Sequence, residues 1–213
     1  MPARRKNGLV YQFRITLRHI APPVWRQIQV PAGYSFWDLH VAIQDAMGWL
    51  DYHLHAFDIA PGSERRGKEI GIPSDESVEP EGVLPGWKVK LADVFLQPGQ
   101  TALYRYDFGD GWEHEILLEG ILLGEPAVKY PRCTAGERAC PPEDCGGVAG
   151  YEHLIEVIRD PKHREHKQMV DWLQGHAKDY TPYDPDAFNP ERVGFDSPKK
   201  RWKQAFAESL DLA

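Results

Sequence analysis

Tyr104-Arg105-Tyr106-Asp107-Phe108-Gly109-Asp110-Gly111-Trp112-Glu113-His114-Glu115 is the stretch on which the reading of this chain turns. Ala102, Tyr104, Tyr106 and Phe108 alternate with Leu103, Arg105 and Asp107, and the period of two resumes from Trp112 to Leu118, which predicts two strands. Between them Gly109 and Asp110-Gly111 tolerate a left-handed backbone, so the chain can reverse within a few residues. Such a turn gathers Asp107, Asp110 and His114 near one end of a sheet. The same aspartates also have a plainer use, bonding the backbone of their own turn.

Working outward, 213 residues suffice for one cored domain with appendages. The expected class is α+β: antiparallel hairpins packed with helices, followed by a helical C-terminal part. The expected divisions are a disordered basic N-terminus over 1–9, a single domain over 10–193 with a variable loop at 60–86, and a C-terminal helix over 194–213. Lys plus Arg number 25 against 32 Asp plus Glu, a net charge of −7, which disfavours a broad phosphate-binding surface. No apolar run suits a signal peptide or a membrane span, so a cytoplasmic protein is expected. Three cysteines without an export signal point to reduced thiols or metal ligands.

Val10 to Arg18 alternates cleanly, and Val24 to Val30 reads as its hairpin partner beyond Pro22-Pro23. Ser35 with Asp38 three residues on is a helix start, Phe36, Leu39, Ile43 and Met47 form its apolar stripe, and Gly48 is its stop. Off the centre of that stripe, His40 is expected at the surface or boundary. His53 and His55 are expected on one face of a strand, where alternate imidazoles stand about 7 Å apart and can serve a metal. Trp87 to Leu91 restores alternation, and one helical turn is expected at Asp93 to Leu96.

Pro131 to Gly147 shows no helix or strand period yet carries Cys133, Cys140 and Cys145. The C-x6-C-x4-C spacing lacks the tight knuckle of a zinc site, and packed thiols are the simpler expectation. Glu143 and Asp144, being adjacent, point apart, so one of them is free to join Asp107, Asp110 or His114. Tyr151, Leu154, Ile155 and Ile158 mark a helix ended by Asp160-Pro161. A second follows with Met169, Trp172 and Leu173 toward the core, carrying His163 and His166 on a solvated face. Ser197-Pro198 opens a last helix with Lys199-Lys200-Arg201 in its first turn.

Ser35 to His40, Met47-Gly48-Trp49, His53 to Phe57, Tyr106 to His114, and Cys140-Pro141-Pro142-Glu143-Asp144-Cys145-Gly146-Gly147 with Gly150-Tyr151 together resemble the root-inducing-plasmid ORF-three-like family, also labelled insertion-element passenger TnpR-like proteins. The resemblance runs from about Tyr11 to Trp202. It implies an α+β roll and an association with plasmids or mobile elements by neighbourhood, but no reaction. No serine sits in a context resembling a recombinase nucleophile.

Three functions follow from the residues. The first is a non-catalytic binding module with an acidic and aromatic cleft, its candidate ligand residues being His53, His55, Tyr106, Asp107, Asp110, Trp112, His114, Glu143 and Asp144, its partner a protein or small ligand. The second is a metal-dependent hydrolase or nuclease built on Asp107, Asp110 and His114. The third is a DNA-associated accessory factor using Arg4, Arg5, Lys6, Lys199, Lys200 and Arg201, against which the net charge counts. No cofactor is fixed: oxygen and imidazole ligands suit a divalent metal, and Cys133, Cys140 and Cys145 suit zinc. The binding module is the preferred reading.

Overall fold

The computed structural model describes residues 8–59, 69–73 and 82–206. Eight strands form one sheet: β1 (Leu9–Leu17), β2 (Trp25–Pro31), β3 (His55–Ile59), β4 (Glu69–Gly71), β5 (Leu84–Pro85), β6 (Thr101–Tyr106), β7 (Trp112–Leu123) and β8 (Arg132–Glu137). Their order is β5-β4-β3-β6-β7-β1-β2-β8, and every pairing is antiparallel except β4 with β5. Four helices complete the fold: α1 (Phe36–Met47), α2 (Gly147–Arg159), α3 (His166–Gly175) and α4 (Pro198–Ala205). The α+β class is as the sequence implied.

The hairpin lies near the centre of the sheet. Tyr106 faces Trp112, Tyr104 faces His114 and Ala102 faces Ile116 across β6 and β7, and all six are buried. On β1, Phe13, Ile15 and Leu17 continue that inner face, while Gln12, Arg14 and Thr16 stay half-exposed on the other. Helix α1 closes the inner face. Its Ser35–Asp38 capping box forms and Gly48 ends it with φ 87°, as the sequence signals require. Every α1 residue except Asp38 and Asp45 is buried, so this is a helix enclosed on nearly all sides rather than an amphipathic one.

Several expectations need correction. Residues 60–86 are not simply a loop, since β4 and β5 lie within or against that span and extend the sheet past β3; its parts 60–68 and 74–81 fall outside the described residues. Residues 132–137 form an edge strand on β2, hidden from a periodicity test because all but the last of its side chains are half-buried. Trp87 to Leu91 is a turn with one bridge from Lys90 to Ser35, and the helical turn is a 3-10 turn at Leu91–Asp93. His163 precedes α3 rather than lying on it.

The C-terminal helix packs back onto α1. Trp202 meets Trp37 edge-on and also Trp87, and Arg201 pairs with Asp45 (2.8 Å), Asp51 (3.1 Å) and Asp196 (3.1 Å). Arg201 is therefore committed to carboxylates and is withdrawn from the set of phosphate contacts. Lys199 and Lys200 are exposed, and Arg4, Arg5 and Lys6, with the disordered N-terminus expected over 1–9, fall outside the described residues but for Gly8 and Leu9.

Candidate functional site

Three sequence motifs meet beside the β6–β7 turn. Asp107, at φ 52°, accepts the backbone N–H groups of Gly109 (3.0 Å) and Asp110 (3.2 Å) through Oδ1, the plain turn-bonding use. Its Oδ2 lies 3.6 Å from His53 Nε2, and His53 Nε2 lies 2.8 Å from Asp144 Oδ1. His53, Asp107 and Asp144 each offer a ligand atom within 4.8 Å of the others. Asp110 turns instead to the loop before α2, where its Oδ2 accepts the Gly146 N–H at 3.1 Å.

Glu143 and Asp144 do point apart. Glu143 is 1% exposed, and its carboxyl accepts the Leu50 N–H at 2.6 Å and the Tyr106 hydroxyl. Its own N–H donates to the Tyr180 hydroxyl at 3.2 Å. Asp144 is exposed and reaches His53. One residue thus locks the loop to the sheet while the next presents a carboxylate outward.

His114 does not join Asp107 and Asp110. It is fully buried between Tyr104 and Trp49, with Nδ1 3.4 Å from the Tyr104 carbonyl oxygen and Nε2 unpartnered among the described residues. The three-residue cluster expected from the turn is not assembled, because His114 occupies an inward position of β7 while both aspartates belong to the turn. Trp112 is likewise a core side chain packed on Trp49.

Nor do His53 and His55 share a face. The strand begins at His55, and His53 sits in the bend before it. His55 is buried under α1, its ring stacked on His40 at 3.5 Å between centroids with planes 9° apart. His40 is 0% exposed, not a surface histidine. Its Nδ1 lies 2.8 Å from the Tyr104 hydroxyl and its Nε2 2.8 Å from Asp51 Oδ1, which the assignment of Tyr104 as donor to Nδ1 and Nε2–H as donor to Asp51 satisfies. Burial pushes the Asp51 carboxyl up, but the His40 hydrogen bond and the Arg201 guanidinium outweigh it and hold the group below its ordinary value.

Cys133, Cys140 and Cys145 are free thiols, and none belongs to a group of three potential metal ligands among the described residues. Burial pushes Cys140 up to about 12 and raises Cys133 and Cys145, so all three are poor thiolate donors.

Burial also holds His114 at about 3, and burial beside His40 holds His55 well below its ordinary value. Each stays neutral in the folded chain while the unfolded side chain, near 6.5, takes up a proton. Their contribution is therefore complete above pH 6.5 and is lost as pH falls toward the depressed folded values. Between pH 7 and pH 5 the loss for His114 alone is about 2 kcal/mol. Urea unfolding at both pH values measures it; a His114→Phe variant with the wild-type pH dependence would contradict this assignment.

Beyond Asp144 a cavity of about 300 Å³ opens between the loop, α2 and α3. Leu154, Met169 and Trp172 form its apolar wall, and Asp144, Glu165 and Gln168 its polar one. The His153 hydrogen bond lowers the Glu165 carboxyl. Met169 and Trp172, expected toward the core, are only half-buried. Their i, i+3 spacing marked a helix face but not that the face looks onto a cavity. Nearer the turn, Tyr52, Leu54 and Phe108 are exposed.

The comparisons with known proteins agree with this architecture. The family model described as "Plasmid pRiA4b ORF-3-like protein" matches residues 9–192. The uncharacterized protein y4hQ of Sinorhizobium fredii (strain NBRC 101917 / NGR234) is 35% identical over 166 residues, covering 76% of this chain and 80% of that relative. The crystal structure of a protein of unknown function, MM3350 from Methanosarcina mazei Go1, is similar with a TM-score of 0.76 and 41% identity, over 89% of this chain and 99% of that one. Among the described residues no helix is long and apolar enough to cross a membrane.

Proposed function

The chain belongs to the plasmid pRiA4b ORF-3-like protein family, and from that premise we propose a non-catalytic binding module whose acidic and aromatic cleft takes a basic segment of a protein partner. One observation carries this reading: the cavity of about 300 Å³ pairs the apolar wall of Leu154, Met169 and Trp172 with the carboxylates of Asp144 and Glu165. A lysine or arginine can lay its aliphatic stem along such a wall and set its charge against the rim. The net charge of −7 favours the encounter. The association with plasmids and mobile elements is neighbourhood alone and supplies no partner.

The test is fluorescence anisotropy with a labelled peptide set that varies basic and apolar content. Basic-apolar peptides are expected to bind saturably, with affinity reduced about tenfold in Trp172→Ala and in Asp144→Asn. Acidic peptides binding as well as basic ones, or variants binding like wild type, would overturn the reading.

A second reading keeps a divalent metal, moved from Asp107/Asp110/His114 to His53, Asp107 and Asp144. The convergence of their ligand atoms within 4.8 Å favours it, since one imidazole and two carboxylates suit a first-row divalent ion. Saturating Mn²⁺ or Zn²⁺ is then expected to raise the Tm of wild type, by about 2.7 kcal/mol equivalent at a hundredfold excess over Kd, and to leave Asp144→Asn unmoved. An equal rise in both proteins would remove the site.

A further inference from the structure

We propose that a second cavity, of about 440 Å³ behind the C-terminal end of α1, binds an anionic small molecule whose carboxylate or phosphate head is held by Arg26 and Lys178. This site shares no residue with the cleft beside Asp144, so the two proposals stand or fall separately.

Arg26 is a buried charge without a counter-charge among the described residues. Arg26 on β2 is 1% exposed. Its Nε donates to the Ala46 carbonyl at 3.0 Å, and its Nη1 donates to the carbonyls of Trp25 (2.8 Å) and Glu137 (2.9 Å). One face of the guanidinium lies 3.7 Å over the Phe188 ring. Among the described residues Arg26 has no carboxylate partner, and its hydrogen bonds run from Nε and Nη1, none from Nη2. Burying a guanidinium against neutral groups alone is costly, and an anion that reaches it recovers much of that cost.

The titratable neighbours of Arg26 are Cys140, Cys133, Tyr151 and Tyr183, thiols and phenols that are neutral at pH 7. Lys178, on the rim of the same cavity, rests its Nζ on the Gly48 carbonyl. Of the two acids that line the cavity, Asp45 is paired with Arg201 and accepts the Asp196 N–H, and Asp184 accepts the Asp186 N–H. Arg192 adds a third cation to the lining.

The walls indicate the rest of the ligand. Met47, Pro141, Tyr180, Tyr183 and Phe188 give broad apolar and aromatic surfaces, and the volume falls in the range of small-molecule pockets. A flat body with one anionic end fits that lining: the ring against the aromatics, the oxygens toward the guanidinium, whose donors match carboxylate and phosphate geometry.

Titration calorimetry on the full chain with three probes tests this: benzoate, phenyl phosphate and, as a cationic control, benzylamine. Saturable binding of benzoate or phenyl phosphate is expected, the tighter one identifying the head group, with affinity about tenfold weaker in Lys178→Gln and weaker still in Lys178→Glu. Both substitutions are at an exposed side chain and leave Arg26 in place, so retained folding, checked by circular dichroism, keeps the result interpretable. Absence of saturable binding by either anion, equal binding of benzylamine, or wild-type affinity in Lys178→Glu would each overturn the proposal.

Discussion

Replacing Glu143 by alanine is expected to destabilise the protein by about 3–5 kcal/mol. The carboxyl is buried and serves two donors, the Leu50 N–H and the Tyr106 hydroxyl, and each donor stranded without an acceptor costs about 1–3 kcal/mol. The void left by the side chain adds to that. For a chain of this length the fall in Tm is about 10 °C. Glu143→Gln keeps an acceptor for one donor and should cost less than half as much. Equilibrium unfolding in urea decides the matter: an alanine variant within about 1 kcal/mol of wild type would show that the Cys140–Gly147 loop is not fastened through this residue.

Gly147→Ala should come next in size, at about 3 kcal/mol. At φ 67° a Cβ here would meet the Asp110 carbonyl oxygen at 2.4 Å. A left-handed non-glycine residue costs about 1–2 kcal/mol, and the forced separation of two packed backbones costs about 1–3 more. Gly99→Ala separates the contributions, because Gly99 has φ 92° with nothing within 4 Å of its Cβ and should show the conformational part alone. Equal losses at the two positions would mean that the close approach carries no energy. Because Gly147 seats the loop on the β6–β7 turn, its alanine variant should also weaken peptide capture at Asp144, whereas Gly99→Ala should not.

The two variants mark how far the sequence could be read. Strand alternation from Tyr104 to Leu118, the Ser35–Asp38 cap and the Gly48 stop are local signals, and local physics was enough to place them. His40 was not legible because its burial depends on which elements cover α1. One clue lay in its spacing of i+4 from Phe36 and i−3 from Ile43, which suits a helix buried nearly all round. His53 and His55 do not share a face because the strand starts only at His55 and His53 falls in the bend before it, where strand alternation does not hold. The run from Pro141 to Gly147 announced a constrained loop, but only tertiary contacts show that Glu143 fastens it, Asp144 faces the cleft, and Gly147 touches Asp110. The cavity against α3 arises from packing between segments that carry no shared motif, so sequence periodicity had nothing to say about it.

The clasp of α4 on α1 bears on how the chain is made. Asp51 is held by His40 and by Arg201, a partner 150 residues further on. A ribosome working at about 5–20 residues per second needs roughly 8–30 s to cover that distance. Throughout that interval Asp45 and Asp51 lack the guanidinium that pairs with them, and Trp37 lacks the Trp202 ring that meets it. The residues of the first helix thus wait for partners made about 150 residues later, and its carboxylate and tryptophan contacts are complete only once residues 198–205 have been added.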